Sequence, residues 1–239
     1  MSHAAKLLTE FVGTFIFLSV IALSGFAGAL APLAIGVALM VMVYMGGHIS
    51  GGHYNPAVSF GVFLRRKIDL QTMVTYWLAQ LVAGALAFVV GYLVSGRTPG
   101  IQPGQGVYAA SALTIEILFT LGLVLVVLNV AATRATEGNS FYGMAIGFVI
   151  VAAAFVGGPI SGGAFNPAVG FGATLGAALF HSGSWTNLWL YVVGPLAGAV
   201  IAAVIHYVQV TGLEELAGRR PAPAAQNPQP SARKAIGRN

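Results

Sequence analysis

The sequence predicts an all-α membrane protein, with six spanning helices and two re-entrant half-helices arranged as an inverted repeat. Three observations carry that expectation. Only 7% of the 239 residues are charged while 57% are hydrophobic, and mean hydropathy is +0.83. The hydrophobic residues gather into six long runs. A polar, glycine-rich break, HISGGHYNPAVSFG from His48 to Gly61, returns as PISGGAFNPAVGFG from Pro159 to Gly172.

A soluble domain carries about a quarter of its residues charged, so this chain lacks the means to cover itself with a water-facing surface. Its apolar runs are Leu7 to Ala31, Leu33 to Met45, Met73 to Val94, Ala112 to Ala132, Tyr142 to Val156 and Leu188 to Val210. A helix of about 20 apolar residues crosses the roughly 30 Å hydrocarbon core, so each run is expected to form one span. The first run is too long for the core of a signal peptide and carries Glu10 near its start, which marks a retained helix. The absence of cysteine excludes disulfides, thiol catalysis and thiolate metal sites.

Basic residues set the expected orientation, because cytoplasmic loops accumulate Lys and Arg. Lys6 precedes the first span, Arg65, Arg66 and Lys67 separate the second from the third, and Arg134 separates the fourth from the fifth. Arg219, Arg220, Arg233, Lys234 and Arg238 follow the sixth. With both termini cytoplasmic, ten of the eleven basic residues lie inside and Arg97 alone lies outside. The net charge of +5 therefore reports topology, and no nucleic-acid partner is expected. The chain divides into a cytoplasmic segment over 1–5, one membrane domain over 6–212 with repeats near 6–95 and 110–212, and a tail over 213–239. That tail is rich in Pro, Ala, Gln and Arg and is expected to be disordered and cytoplasmic.

The repeat is explicit. Shifted by 111 residues, Ala34–Gly36 meets Ala145–Gly147, both reading AIG, and 11 of the 16 residues from Ile49 to Leu64 equal their partners. Glu10 and Glu116 correspond in the first and fourth spans. Each half holds three spans, and an odd number inverts the second half relative to the first. Inverted repeats place a solute pathway at their interface near the midplane.

Within the repeated break, Ser-Gly-Gly lets the backbone turn sharply. Asn favours the cap position of a helix and Pro its first residue, so Asn55-Pro56 and Asn166-Pro167 each start one. From Asn55 to Arg65 the run is 11 residues, or about 16 Å at 1.5 Å per residue, half a membrane. Asn166 to Leu179 forms its counterpart. Two such half-helices meeting start to start form one broken span, and irregular backbone at that depth must be buried in protein or line a water-filled cavity. Both positive helix ends then point at one spot. Each Asn oxygen caps its own helix, leaving the side-chain NH₂ to donate into the lumen. A water held there by two donors cannot relay a proton, and cations meet positive potential.

The doubled NPA motif (Asn55-Pro56-Ala57 and Asn166-Pro167-Ala168), the Ser-Gly-Gly before each copy and the inverted six-span pattern resemble the aquaporin family, in the form of a bacterial-like member, over residues 6 to 212. The resemblance implies an aquaporin-like fold and a homotetramer in a plasma (inner) membrane bilayer. Each protomer would carry its own pore for passive, bidirectional flux. It also implies a selectivity filter at Ile35, Ala154, Gly163 and Val169. Selective members place an aromatic, a His, a small polar residue or Cys, and an arginine at those positions. Here they are isoleucine, alanine, glycine and valine. Loss of bulk and of fixed positive charge implies a wide, apolar filter that passes water and neutral solutes of glycerol, urea, ammonia or metalloid-hydroxide size. A strict water channel and an anion-permissive channel are the alternatives within that fold.

The remaining candidates read as scaffold. Glu10 and Glu116, the carboxylates inside spans, are expected to tie down the N–H groups of the two re-entrant loops, although an intramembrane acid also suits proton transport. His48 and His53 are expected to support the first loop. His181 and His206 receive no role. The stripes Ala79, Ala83, Ala87 and Gly194, Gly198, Ala202 have the spacing of closely packed membrane helices. Trp77, Trp185 and Trp189 read as interfacial anchors. No catalytic set, cofactor or metal site is expected, and a secondary transporter would need ionisable groups at the midplane that this chain lacks.

Overall fold

The computed structural model describes residues 1–181 and 183–218, with side chains placed through Thr211. The long regular elements of the described residues are α1 His3–Ala22, α2 Ala31–Ser50, α3 Pro56–Leu64, α4 Leu70–Ser95, α5 Ala109–Ala131, α6 Tyr142–Ser161, α7 Pro167–Phe180 and α8 Leu188–Gly218. Six of them are long and apolar enough to cross a membrane. The other two, α3 with 9 residues and α7 with 14, are the half-helices.

Two boundaries differ from the apolar runs. The run Leu7 to Ala31 is divided: α1 stops at Ala22 and a 3-10 stretch over Ser24–Leu30 turns the chain, with Gly28 at φ 55°. Glycine alone adopts that backbone freely, so hydropathy ran on where the helix did not. Pro32 in the first turn of α2 restarts the helix. At the other end, α8 continues to Gly218, so 213–218 of the expected disordered tail is helical. Leu213, Glu214, Glu215, Leu216 and Ala217 are all good helix formers. The rest of that expected tail, 219–239, lies outside the described residues.

The packing repeats as the sequence does. The pairs α1 with α4 and α5 with α8 form equivalent layers, and α2 crosses α6 between the halves. Each half-helix reaches across the interface, α3 against α8 and α7 against α4. At the α2–α6 crossing the two AIG glycines meet: a Cβ on Gly36 would lie 2.6 Å from the Gly147 carbonyl, and one on Gly147 would lie 2.5 Å from the Gly36 carbonyl. In lipid, helices gain little from hydrophobic contrast and associate through close packing and hydrogen bonds. The predicted stripes serve that contact. Ala83 and Ala87 are fully buried, and a Cβ on Gly198 would sit 2.5 Å from the Ile117 carbonyl.

Candidate functional site

The two re-entrant loops are built alike. After α2, Gly51 and Gly52 take φ of 99° and 62°; after α6, Gly162 and Gly163 take 94° and 71°. Tyr54 (φ 48°) and Phe165 (φ 49°) then hold left-handed backbone without being glycine, a conformation that costs about 1–3 kcal/mol each. A buried carboxylate holds each in place. Glu10, with no exposed surface, accepts from His53 N at 2.9 Å, Tyr54 N at 2.8 Å, Ser50 Oγ at 2.7 Å and Gln80 Nε2 at 2.9 Å. Glu116, equally buried, accepts from Ala164 N at 3.1 Å, Phe165 N at 2.7 Å and Ser161 Oγ at 2.7 Å.

Beyond each loop, an asparagine opens a half-helix. Asn55 Oδ1 accepts from Ala57 N at 2.8 Å and Asn166 Oδ1 from Ala168 N at 2.9 Å, with Pro56 and Pro167 as first helical residues. The amide nitrogens do something the sequence reading missed. Asn55 Nδ2 donates to the Phe165 carbonyl at 2.9 Å, and Asn166 Nδ2 donates to the Tyr54 carbonyl at 3.0 Å. Each NH₂ thus commits one hydrogen to the opposite half, so one hydrogen per asparagine remains for the lumen where two were expected. The same bonds knit the half-helices together at their starts.

Between the halves runs a narrow cavity of about 40 Å³, lined by Asn55 and Asn166, by His53 and by apolar side chains such as Phe17, Leu39, Val58 and Ile150. A cavity needs about 10–15 Å³ on that measure to admit a water, so this one has room for water. Of the four expected filter residues, Ile35, Ala154 and Gly163 line this cavity. Val169 does not. It is 1% exposed and packed in the wall, whereas its repeat partner Val58 lines the cavity. A wider vestibule of about 660 Å³ opens on the side of Lys6, Lys67 and Arg134.

The expected loop-supporting histidines part company. His53 is buried, its N–H bound to Glu10 and its Nδ1 lying 3.0 Å from Ser59 Oγ. His48 is exposed in the last turn of α2 and lines the vestibule. It lends the loop no side-chain hydrogen bond among the described residues, since Ser50 and Glu10 already meet the loop's donors.

Other contributors went unread. Tyr76 and Tyr191 donate their hydroxyls to the Ser50 and Ser161 carbonyls at 2.8 and 2.6 Å; their matching places in the third and sixth spans were the available signal. Gln80, a lone amide in an apolar span, was another. Trp77, read as an anchor, also donates to the Pro56 carbonyl at 2.8 Å. His206 accepts from Arg65 Nε at 2.9 Å and lies 2.8 Å from Thr133 Oγ1, fastening the end of α3 to α8 and to the loop after α5.

Comparison with known proteins bears on this arrangement. The sequence model of the Major intrinsic protein family matches residues 1–206. Aquaporin TIP1-2 of Zea mays is 36% identical over 232 residues, covering 89% of each chain. Aquaporin TIP1-1 of Arabidopsis thaliana is 38% identical over 221 residues, covering 84% of this chain and 85% of the relative. The X-ray structure of the aquaglyceroporin from Plasmodium falciparum shares the fold, with a TM-score of 0.76 at 22% identity over 90% of this chain and all of that one. With two asparagine-capped half-helices meeting at a narrow cavity inside a six-span inverted repeat, the chain belongs to the Major intrinsic protein family and has the aquaporin fold: it is a multi-pass transmembrane channel for water or small solutes, and not an enzyme.

Proposed function

We propose that this channel passes water together with small neutral solutes of glycerol, urea or metalloid-hydroxide size, passively and in both directions. The observation that carries the reading is the filter region: Ile35, Ala154 and Gly163 line the narrow cavity, Val169 is withdrawn into the wall, and none of the four is charged. A solute there meets apolar walls. Its remaining polar contacts are the free N–H of each asparagine and His53. The two half-helix N-termini, each worth about half a positive charge, oppose cations. The asparagine donors orient a water so that it cannot pass a proton along the file.

The basic residues favour cytoplasmic termini, and the channel is assigned to a plasma (inner) membrane. The basic vestibule is then the cytoplasmic mouth. The narrow cavity lies within a single chain, so a homotetramer would carry one pore per protomer. The small cavity volume, about 40 Å³, favours a second reading, a strict water channel. Lack of a filter arginine leaves an anion-permissive channel as a third.

Stopped-flow light scattering on proteoliposomes separates these readings. Rapid water, urea and glycerol permeation is the expected result; fast water with excluded glycerol and urea would establish the strict water channel instead. Val169→Arg is expected to cut glycerol permeability at least tenfold, the effect of about 1.4 kcal/mol, while leaving most water flux. Unchanged glycerol flux in that variant would contradict the filter assignment. Flux that saturates or follows a proton gradient would indicate a coupled transporter.

A further inference from the structure

The far end of the first half-helix is held by side chains, and the matching point of the second is held by direct packing. Arg65 caps the end of α3, and the next residue, Arg66, takes left-handed backbone at φ 57°. That turn costs about 1–3 kcal/mol and has to be secured from outside. Arg65 reaches α8, donating from Nε to His206 Nδ1 at 2.9 Å, with its guanidinium 5.1 Å over the Tyr207 ring. Shifted by the repeat, Arg65 becomes Gly176, where a Cβ would lie 3.3 Å from Phe88 Cβ. There α7 rests directly on α4, runs on to Phe180 and needs no such tie.

The protonation state of His206 follows from its partners. An arginine donates and never accepts, so Nδ1 is the accepting nitrogen and carries no hydrogen. The imidazole proton then sits on Nε2 and is donated to Thr133 Oγ1 at 2.8 Å. Thr133 in turn donates its hydroxyl to the Leu128 carbonyl at 2.8 Å. The line runs one way, from Arg65 through the ring to the end of α5, and only a neutral ring completes it. His206 is 1% exposed, which leaves water little room to replace a lost partner.

A second proton enters at Nδ1, where Arg65 binds. It removes the acceptor and sets a cation against the guanidinium. The other charge acting on the ring, Lys67 beyond the α3 turn, is also positive. The α5 side presents Thr133 and the Leu128 carbonyl, and after them Arg134 and Glu137 line the vestibule. From its own helix come Tyr207 and Gln209, the latter paired with the Asn129 amide. Packed on the same helix, α7 carries no titratable side chain. No carboxylate is hydrogen-bonded to the ring or to Arg65 among the described residues. Because α3 is only 9 residues long, a shift at Arg65 carries to Asn55 at the other end, which lines the narrow cavity. We infer that Arg65 and His206 are positioning residues of the pore, holding the first half-helix only while the imidazole is neutral, so that acid on the vestibule side releases α3 and lowers flux. The inference rests on the channel reading above and adds a proton-sensitive hold to it.

The test uses the full chain in proteoliposomes equilibrated to one pH on both sides, with water as the probe. Parent flux is expected to fall roughly fivefold between about pH 8 and about pH 5, the population shift of about 1 kcal/mol, and to recover at the higher pH. His206→Gln keeps an acceptor for Arg65 and a donor for Thr133 but takes up no proton in this range. Its flux should stay at the parent's high-pH level throughout. Arg65→Ala removes the hold at every pH, so its flux should sit at the parent's acid level and no longer respond. Solid-state ¹⁵N spectra of histidine-labelled protein report the ring directly, the His206 signal being the one lost in His206→Gln. Nε2–H alone is expected at the higher pH, and a doubly protonated ring over the range in which flux falls. Parent flux that ignores pH, a His206→Gln variant that keeps the parent's profile, or an Nδ1–H tautomer at the higher pH would overturn the inference. The parent's flux profile and spectra decide the matter even where a variant fails to fold. Lack of any flux in the parent protein at every pH would instead overturn the channel reading.

Discussion

The first and second halves of the molecule share a scaffold and differ in what they bring to the lumen. Each has a buried glutamate holding a serine, two loop N–H groups and, through them, a left-handed aromatic residue. Each has a tyrosine hydroxyl on the serine carbonyl. The first half alone adds His53, Ser59 and Gln80 around its carboxylate. At the matching places the second half has Ala164, Gly170 and Pro195, none with a polar side chain. The fold therefore needs the glutamate tie twice and the polar relay not at all. What is duplicated ties the loops, and of what is unique to the first half only His53 lines the cavity, Ser59 and Gln80 being fully buried.

The largest effect should come from removing the shared element. Glu116→Ala leaves two loop N–H groups, those of Ala164 and Phe165, unpartnered, and each buried orphan costs about 1–3 kcal/mol. Glu10→Ala also removes one of the two acceptors of the buried Gln80 amide. Both variants are expected to lose most of their folded yield on size-exclusion chromatography in detergent, Glu10→Ala more severely. A parent-like melting temperature in either would show that the carboxylates are not the ties.

A middle-sized effect separates the halves. A Cβ on Gly170 would lie 2.4 Å from the Tyr191 Cβ, so the second half has no room for the serine that the first half carries. Gly170→Ser is expected to destabilise by about 1–3 kcal/mol through overpacking, read as a lower melting temperature. Ser59→Gly overpacks nothing and should cost less. Equal costs would mean that the asymmetry of the relay is not imposed by packing.

The smallest effect lies at the helix starts. In the first half α1 is capped by the Ser2 side chain, while its counterpart α5 in the second half has no side-chain cap; α4 is capped by Asp69. The hydrogen bond from Thr72 N, at 2.7 Å, holds the Asp69 carboxyl below the usual carboxylate range. A group depressed in the folded state adds stability above its unfolded pKa and loses it as pH falls through the folded value. Asp69→Ala should therefore lower the melting temperature slightly at neutral pH and flatten its acid-side slope. An unchanged slope would remove the cap from the comparison.

Much of this was legible in the amino-acid sequence because its signals are local. An Asn-Pro pair starts a helix whatever surrounds it, and both half-helices begin where that chemistry places them. Two repeat-equivalent glutamates in apolar spans could only be tolerated with donors close by. Helix ends were less legible: hydropathy continues through the 3-10 turn at Ser24–Leu30 and stops short of the end of α2, since lipid asks for apolar residues and not for a particular backbone.

The sequence by itself thus determined the six spans, the inverted repeat, the two half-helices and their family, because composition, periodicity and capping act over a few residues. Tertiary structure alone decided which hydrogens are left for the solute. It paired Asn55 with the Phe165 carbonyl and Asn166 with the Tyr54 carbonyl, 110 and 112 residues away. It set Gln80 against Glu10 across 70 residues, and it turned Val169 into the wall while Val58 faces the cavity. Such choices depend on which donors and acceptors fall within about 3 Å of one another once distant spans pack, and spacing along the chain does not record that distance.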